Sequence, residues 1–523
     1  MNPELAYSRP VKTAEQLGDF AEDRHRFLNK NVLLTGESEV LATANGKNCF
    51  LDALRLLVRI CPNITVVLPA GNDSLLGQAK TLADHIAFGK ELSFKDAVQD
   101  FASCDAVLSV GTKSHPTLPW TTINSNGWVV RVTSGDKDLP GNCGINNPIG
   151  ALGAASLGVG EVFKRLIRLK PERGEMLNGF AFSLRTYQEA AEDYGPPLPE
   201  SFGCDLLIVG GGAIGNGLVH LISQLPFKGG VKIVDRQDYG DENLGTCILI
   251  GPKDIPKPKA LVMERYLKQH GVQAEGFSMP FEKFVPTIKK YPSIVLNGLD
   301  DIGVRHEVQR SLWPDVVIDG AIGDFTCQVS RHPWPDDVAC LICLFREAEG
   351  KSAEELQEEA TGLSRGILAQ PDRLLQEADV LAASADKQVF LRARLGRPIC
   401  SVIQEAIAQK ISADKQDAGF QPSVPFVATF SACMVMSEAV AYLCGWPSVP
   451  EPRFQFDFLL GPAYGQQLPQ ARRTACICTQ KARNINMLRS SRGLAGPETT
   501  PPQGKKHFDQ ESDSTEDCTA HNP

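Results

Sequence analysis

The sequence predicts an α/β fold built from two similar domains. Apolar, strand-like runs alternate with helix-like runs in both halves of the chain, as in mostly parallel sheets. Residues 206–235 read as a strand, a glycine-rich turn, a helix and a second strand, which is a βαβ unit. Several segments of the first half also recur in the second half in the same order.

Length, charge and composition limit the possible classes of protein. A chain of 523 residues is long enough for more than one domain. A net charge of −9 argues against nucleic-acid binding, since a polyanion needs a basic surface. No run approaches the ~18 apolar residues of a membrane span. The first residues lack the basic-then-apolar order of a signal peptide, so we expect reduced cysteines and a cytoplasmic protein without a membrane partner.

The first half shows the alternation of elements clearly. Strands are predicted at residues 31–36, 64–69, 106–110 and 128–132, and an apolar helical pattern runs through residues 50–58. We therefore expect a mostly parallel sheet in this half.

The internal repeat is clearest in one long apolar segment. Residues 148–161 and 425–438 both begin with Pro, continue with small and apolar residues, and reach Glu at the same offset. Two strands repeat as well, since 32–36 matches 206–210 and 106–111 matches 294–300. We interpret the chain as two copies of one domain, the alternative being two unrelated α/β domains.

The first copy differs from the second where a ligand would bind. Gly36 is followed by Glu37 rather than by more glycines, and an acid there would repel phosphate. Leu68 and Pro69 stand where the second copy has an acid after its strand. Lys113 ends a Gly-Thr-Lys sequence where the second copy has Leu-Asp-Asp. We predict that the first copy is a degenerate, non-catalytic partner.

The glycine-rich turn of the second copy has the features of a nucleotide site. Gly210, Gly212 and Gly215 follow a strand at G-x-G-x-x-G spacing, and Asp235 ends the next strand. Such glycines let backbone N–H groups approach phosphate, and the carboxylate accepts from ribose hydroxyls. The alternative is a tight turn in an ordinary sheet.

The residues after this turn narrow the choice of nucleotide. Asn243 lies in an E-N-L sequence, Lys259 in P-K-A and Asp300 in L-D-D, with Arg305 shortly afterwards. From Cys204 to Trp446 this order resembles the ThiF/MoeB and ubiquitin-activating adenylyltransferase family. The resemblance implies two Rossmann-like ThiF-type adenylation domains, one inactive and one active, that form a pseudo-dimer within one chain.

The resemblance also implies roles for individual residues. ATP would bind at the glycine turn and be attacked at its α-phosphate by a carboxylate, a pairing of anions that requires positive charge and magnesium. Asp300 would be the magnesium ligand, Lys259 would contact phosphate, and Asn243 matches the family's Asn-Leu pair. The alternatives are a helix cap for Asp300 and a surface position for Lys259.

One departure from the family pattern lies beside this Asn. The family usually carries an arginine three residues after it, where this chain has Thr246. Tyr7-Ser8-Arg9 resembles the family's N-terminal segment, whose arginine reaches the partner's ATP. We expect Arg9 to supply the missing charge, with Arg24 and Arg26 as alternatives.

Two pairs of cysteines suggest a metal site. Cys340 and Cys343 form a C-x-x-C pair like that of the family, and Cys476 and Cys478 are the candidates for the distant pair. Four thiolates suit tetrahedral, structural zinc. The alternative is a set of reduced, buried thiols.

A further cysteine is the candidate nucleophile. Ubiquitin-activating members of the family pass the acyl group to their own cysteine, and Cys400 follows a proline and begins a helical pattern. A helix N-terminus stabilises thiolate. Cys247 and Cys433 are the alternatives, although Cys433 lies in an apolar helix typical of a core.

These interpretations predict a complete domain plan. We expect an inactive adenylation domain at 1–170, a connector at 171–200, the active domain at 201–343 and 400–485, a helical insertion with the catalytic cysteine at 344–399, and a disordered tail at 486–523.

The resemblance favours one function over three others. We expect an enzyme that adenylates the C-terminal carboxylate of a ubiquitin-like protein, forms a thioester and passes it to a conjugating enzyme, as a monomer. A bacterial antiphage conjugation system is a possible setting. The alternatives are adenylation without a thioester on a sulfur carrier or other carboxylate, a nucleotide-binding pseudoenzyme, and an NAD-dependent oxidoreductase, which would leave Lys259 and Asp300 without a role.

Overall fold

Two eight-stranded sheets form the framework of the protein, and their strands follow the same order. In the first sheet the order is β3-β2-β1-β4-β5-β6-β7-β8, and in the second it is β11-β10-β9-β12-β13-β14-β15-β16. The computed structural model describes residues 6–17, 28–89, 92–97, 100–189, 192–323, 325–345, 353–370, 373–399, 402, 403, 406, 424–447, 449 and 451–494.

The first sheet is parallel through its first five strands and antiparallel beyond them. Its strands are β1 Asn31–Gly36, β2 Asn63–Val67, β3 Ser93–Lys95, β4 Ala106–Val110, β5 Trp120–Asn126, β6 Val129–Thr133, β7 Phe180–Ser183 and β8 Gln188–Glu189.

The second sheet repeats this mixture of parallel and antiparallel pairing. Its strands are β9 Leu206–Val209, β10 Gly230–Val234, β11 Gln273–Phe277, β12 Ile294–Asn297, β13 Val316–Gly323, β14 Thr326–Pro333, β15 Arg453–Asp457 and β16 Gly461–Leu468.

Helices connect and cover the strands. Those of the first half are α1 Ser8–Leu17, α2 Ser38–Leu41, α3 Ala44–Ile60, α4 Asp73–Ile86 and α5 Pro148–Leu166. Those of the second half are α6 Ala213–Gln224, α7 Lys259–Gln269, α8 Phe281–Phe284, α9 Ile302–Leu312, α10 Leu341–Leu344, α11 Ala353–Thr361, α12 Arg365–Leu368, α13 Glu377–Ala382, α14 Ala385–Arg392, α15 Pro425–Leu443, α16 Ile477–Gln480 and α17 Ala482–Ser491.

Local sequence explains why the repeated helix begins and packs as it does. Asn147 caps α5 by accepting the backbone N–H of Ile149, and Pro148 occupies the first turn, where its missing N–H costs nothing. Farther along α5, Gly158 lies so close to β5 that a Cβ there would be 2.5 Å from Cγ2 of Ile123. Small residues thus let α5 lie directly on its sheet.

The two halves share one continuous hydrophobic core, in which α5 packs against its counterpart α15. The rings of Phe163 and Phe426 meet across the contact with centroids 5.6 Å apart. The fully buried Nε2 of His220 lies 2.7 Å from the Asp52 carboxylate of the other half. Paired this closely, the halves bring α1 and α3 of the first half next to the ligand-binding edge of the second.

The fold class predicted from the sequence is confirmed, since both halves are Rossmann-like α/β domains. Two local expectations were wrong. The connector predicted at 171–200 contains β7 and β8, which extend the first sheet, and α17 crosses the boundary predicted at 485. The strand β5 was missed because its sequence, WTTINSN, is largely polar although every residue of it is buried.

Four short helices, α11 to α14, form the segment predicted as a helical insertion between β14 and α15. They enclose a small hydrophobic core of their own, which includes Leu375, Val380 and Leu391. Ile399 and Val402, on either side of Cys400, also belong to it. Cys400 itself lies outside the described residues.

One helix in the described part of the chain is long and apolar enough to cross a membrane. It is α15, and 89% of its apolar window is buried inside the protein. Its contacts with α5, α6, β13 and β14 are those of a core helix.

Candidate active site

A cavity of about 740 Å³ opens at the carboxyl ends of the parallel strands of the second sheet. Ligands bind at this edge in open α/β sheets. Of the predicted residues, Gly210, Gly212, Asp235, Asn243, Lys259, Asp300 and Arg9 line it. The structure therefore brings together, in one cavity, residues that lie up to 291 positions apart, while their chemical roles stay predictions.

The glycine turn has the backbone geometry that its sequence requires. Gly210 adopts a φ of +100°, which disfavours any side chain. A Cβ on Gly215 would lie 2.1 Å from the carbonyl oxygen of Gly210, so glycine is needed where α6 crosses the turn. Oδ2 of Asp235 accepts the N–H of Gly211 at 2.6 Å, and Oδ1 accepts the N–H of Gln237 at 2.7 Å. The Asp235 carboxylate thus holds the glycine turn, and its predicted contact with ribose hydroxyls stays a prediction.

Lys259 begins α7 and points its ammonium toward the cavity. Its side chain is mostly buried, and Nζ donates to Oε1 of Gln237 at 2.7 Å. The same Nζ lies 5.8 Å from the centre of the Tyr239 ring. Among the described residues this ammonium has one side-chain acceptor, which is neutral, and a partly desolvated ammonium of this kind is well suited to hold an anion.

Asn243 and Thr246 lie in the turn that follows β10. Oδ1 of Asn243 accepts the N–H of Gly240 at 2.9 Å, which fixes the turn. The Thr246 hydroxyl lies 3.4 Å from the carbonyl oxygen of Asn243 and brings no charge to the cavity. The departure from the family pattern therefore leaves neutral atoms where relatives have a guanidinium.

The two acids after β12 have different tasks. Asp301 caps α9, since its carboxylate accepts the N–H of Val304 at 3.0 Å. Asp300 is exposed to the cavity, and its carboxylate has no hydrogen bond or ion pair within the described part of the chain. Asp300 is thus free to bind a cation, whereas the capping role falls to its neighbour.

Arg305 is a cavity residue to which the sequence reasoning gave no role. Its Nε lies 3.2 Å from Oδ1 of Asp319, and its guanidinium carbon lies 4.1 Å from the centre of the Phe345 ring. Burial raises the pKa of Asp319 to about 6, although Arg305 and Asn297 favour the charged form. The family's arginine after L-D-N was the signal for Arg305, while nothing in the sequence marked Asp319.

Acids outnumber cations around the cavity. The cations are Arg9, Arg236, Lys259 and Arg305, and the acids are Asp235, Asp238, Glu242, Glu282, Asp300 and Asp301. A polyphosphate placed among six carboxylates and four cations needs an additional positive charge. The exposed carboxylate of Asp300 provides a place for a divalent cation.

Arg9 reaches this cavity from the first half. Its helix, α1, lies against the turn that carries Thr246, and a Cβ on Gly245 would be 2.2 Å from the carbonyl oxygen of Ala6. Tyr7 anchors the same segment by donating to the carbonyl oxygen of Val58 at 3.1 Å. The alternatives Arg24 and Arg26 lie outside the described residues.

The four predicted metal ligands lie together in a hydrophobic cluster that includes Trp313 and Trp334. The Sγ atoms of Cys340, Cys343, Cys476 and Cys478 are all within 4.8 Å of one another, and all four residues are buried. Two of the separations are 3.7 Å and 3.5 Å. Zinc–sulfur bonds of about 2.3 Å in a tetrahedron imply sulfur–sulfur distances of roughly 3.8 Å, so the cluster is compatible with zinc.

The two alternative nucleophiles are inaccessible. Cys247 lies in the turn beside the cavity and is fully buried, and Cys433 lies in the interior of α15 and is also fully buried. Burial raises the pKa of both thiols, which disfavours thiolate. Cys400, the first candidate, lies outside the described residues, and its role as nucleophile stays a prediction.

In the first half, the strand end that matches Asp300 of the second half is occupied by the side chain of Glu37. The Glu37 carboxylate accepts the backbone N–H groups of Thr112 and Lys113 at 2.9 and 2.8 Å, and the Thr112 hydroxyl at 2.8 Å. A Cβ on Gly111 would lie 2.4 Å from Oε1 of Glu37. An internal carboxylate thus holds the backbone N–H groups at the strand end that matches Asp300 and Asp301 of the second half.

The βαβ turn, the acids at the strand ends and the cation from the other half define a nucleotide-binding protein of the Rossmann type. Comparison with known proteins gives the family. The ThiF family model matches residues 202–478, so the chain belongs to the ThiF family, as its motifs predicted. Membership supports adenylation of a carboxylate as its chemistry.

Individual relatives are similar over different lengths. The uncharacterized protein y4jF of Sinorhizobium fredii is 26% identical over 494 residues, which cover 90% of this chain and 92% of that protein. The NEDD8-activating enzyme E1 catalytic subunit of Saccharomyces cerevisiae is 30% identical over 111 residues, 21% of this chain and 37% of the yeast subunit.

Solved structures of E. coli MccB are also similar. The complex with succinimide has a TM-score of 0.35 at 11% identity, covering 53% of this chain and 65% of that chain. The complex with ATP has a TM-score of 0.33 at 12% identity, covering 52% and 65%.

We expect the chain to bind one ATP·Mg²⁺ rather than two, because the Glu37 carboxylate occupies the strand end of the first half that matches Asp300 of the second half. Titration calorimetry measures the stoichiometry. Lys259→Ala should weaken binding roughly tenfold or more, since a charged hydrogen bond to phosphate is lost. Lys113→Ala, at the matching strand end of the first half, is the control and should bind like the parent. Two nucleotides per chain would contradict this assignment.

Proposed function

We propose that this protein is an activating enzyme that adenylates the C-terminal carboxylate of a ubiquitin-like protein and then carries the acyl group on Cys400. The convergence of the glycine turn, Lys259, Asp300 and Arg9 on one cavity supports the first step. Similarity to an E1 catalytic subunit over 21% of the chain supports the choice of substrate class.

The first reaction joins the substrate to AMP. A carboxylate oxygen of the substrate attacks the α-phosphorus of ATP, the bond to the bridging oxygen breaks, and pyrophosphate leaves. The N–H groups of the glycine turn and Lys259 hold the phosphates, and Arg9 offsets the charge that develops on the leaving group. Magnesium held at Asp300 would add the positive charge that the acid-rich cavity lacks.

The second reaction moves the acyl group to sulfur. The thiolate of Cys400 attacks the acyl carbon, the bond from that carbon to the phosphate oxygen breaks, and AMP leaves. Pro398 pairs with Leu374, and Ile399 and Val402 are fully buried, so both flanks of Cys400 are anchored in the core of the insertion. A conjugating enzyme would then receive the acyl group by thiol exchange.

The domain plan gives each part a task. The first half serves as an inactive partner in an intramolecular pseudo-dimer, so a monomer contains one complete site. The insertion adjoins the nucleophile, and zinc held by the four cysteines would join α10, at the start of the insertion, to α16 near the end of the second domain.

The proposal predicts a thiol-sensitive adduct. The chain is incubated with ATP, Mg²⁺ and small proteins that end in Gly from the source organism, and the products are separated on a non-reducing gel. We expect an adduct that dithiothreitol removes, that Cys400→Ala abolishes and that Cys247→Ala retains, because Cys247 is buried. Asp300→Asn should prevent adduct formation by removing the cation ligand.

Each alternative outcome is distinct. ATP–pyrophosphate exchange without an adduct would restrict the activity to adenylation and overturn the thioester step. An adduct that survives in Cys400→Ala would move the nucleophile elsewhere. Absence of exchange with a carrier that ends in Gly from the same operon would overturn the proposal as a whole.

We also expect one zinc ion per chain. Atomic emission spectrometry of the purified protein measures the zinc content. The Cys343→Ser variant should lose the metal and part of the thermal stability, since a structural metal site contributes to folding. Cys444→Ser, a half-buried thiol outside the cluster, is the matched control. Protein purified without chelators that holds no metal would contradict the zinc assignment.

A further inference from the structure

The first half contacts the nucleotide site at a second place besides Arg9. Arg59, on α3, is fully buried and extends its guanidinium into the turn of the second half. Nη1 donates to the carbonyl oxygen of Leu244 at 2.7 Å, and Nη2 donates to those of Ile248 and Ile250 at 3.3 and 2.7 Å. One side chain of the inactive half thus binds three carbonyls of the active half.

The chain segment that Arg59 holds, residues 244–250, is continuous with the cavity. It begins directly after Asn243 and includes Thr246, and both of these line the cavity. His85, also from the first half, lies 3.1 Å from the Leu249 carbonyl oxygen through Nε2. Four carbonyls of this segment, one at its start and three at its end, therefore face donors of the other half rather than water.

Burying the Arg59 guanidinium costs solvation free energy, and simple packing of the two halves does not require it. The Arg59 guanidinium forms no ion pair with a carboxylate of the described residues, and burial lowers its pKa to about 9. It therefore stays charged at neutral pH, and the Asp254 carboxylate favours this charged form without forming an ion pair with it. The planar guanidinium of an arginine presents several N–H donors in fixed directions, so it can hold several carbonyls in fixed relative positions. The ammonium of a lysine cannot do this.

We propose that Arg59 is a positioning residue through which the inactive half fixes the Asn243–Thr246 turn in its ATP-binding shape. The inference rests on the proposed function because it takes ATP as the ligand of the cavity. It gives the degenerate half a second contribution, separate from the charge that Arg9 brings. Removal of Arg59 leaves three buried carbonyls without a donor, so the turn should open.

The test uses the full chain with Arg59→Ala and two independent measurements. The first is the dissociation constant of ATP·Mg²⁺ by titration calorimetry, which should rise roughly tenfold or more. The second is labelling of Cys247 by N-ethylmaleimide, followed by peptide mass mapping. Cys247 lies in the held segment and is fully buried, so it should be protected in the parent and labelled in the variant.

Guanidinium rescue distinguishes positioning from general stability. Non-denaturing guanidinium chloride should restore ATP affinity and protect Cys247 in Arg59→Ala, while equal sodium chloride should not. The matched control is Arg131→Ala, because Arg131 is an equally buried arginine that donates to the carbonyl oxygens of Pro140 and Asn142 within the first half. It should lower thermal stability but keep ATP affinity within about twofold.

Each outcome decides the matter. The proposal is overturned if the Arg59→Ala chain folds, binds ATP like the parent and protects Cys247 from labelling. It is also overturned if Arg59→Ala loses ATP affinity, guanidinium does not restore that affinity, and Arg131→Ala shows the same loss. If Arg59→Ala does not fold, Arg59→Lys is measured in the same way, with parent-like values in both assays overturning the proposal. If the parent binds no ATP, the proposed function fails, and the labelling of Cys247 alone tests the inference.

Discussion

The packing of α5 against α15 is the contact on which the rest of the structure depends. Both helices begin at a proline, and aromatic rings such as Phe163 and Phe426 meet between them. This contact places α1 and α3 beside the ligand-binding edge of the second sheet. The cavity then receives Arg9, and the turn beside it receives Arg59, from the first half of the chain.

The two halves differ in the groups that their strand ends present. In the second half the strand ends present glycine N–H groups, Lys259 and the uncommitted carboxylate of Asp300. In the first half the Glu37 carboxylate already binds the N–H groups of Thr112 and Lys113. The strand end that carries the proposed cation ligand in one copy therefore holds an internal acid in the other, and the first half contributes Arg9 and Arg59 instead.

Local patterns predicted much of this structure. Apolar runs predicted β1, β4 and β9, the spacing of the glycines predicted the turn after β9, and the cysteine pairs predicted a buried cluster. Features that depend on distant contacts were not predictable. The polar strand β5, the buried Asp319 and the reach of Arg59 across the halves depend on tertiary neighbours, and no local pattern marks them. Long-range pairing, rather than residue type, determines what such side chains do.

The central claim is that a single chain assembles one adenylation site from both halves. The rate of ATP–pyrophosphate exchange in Arg9→Ala, with the carrier that supports exchange in the parent, tests it most directly. Loss of a charge aimed at the leaving group should lower the rate about 100-fold or more, while Lys12→Ala, an exposed cation of the same helix, should exchange like the parent. An Arg9→Ala chain that exchanges at the parent rate would contradict the account.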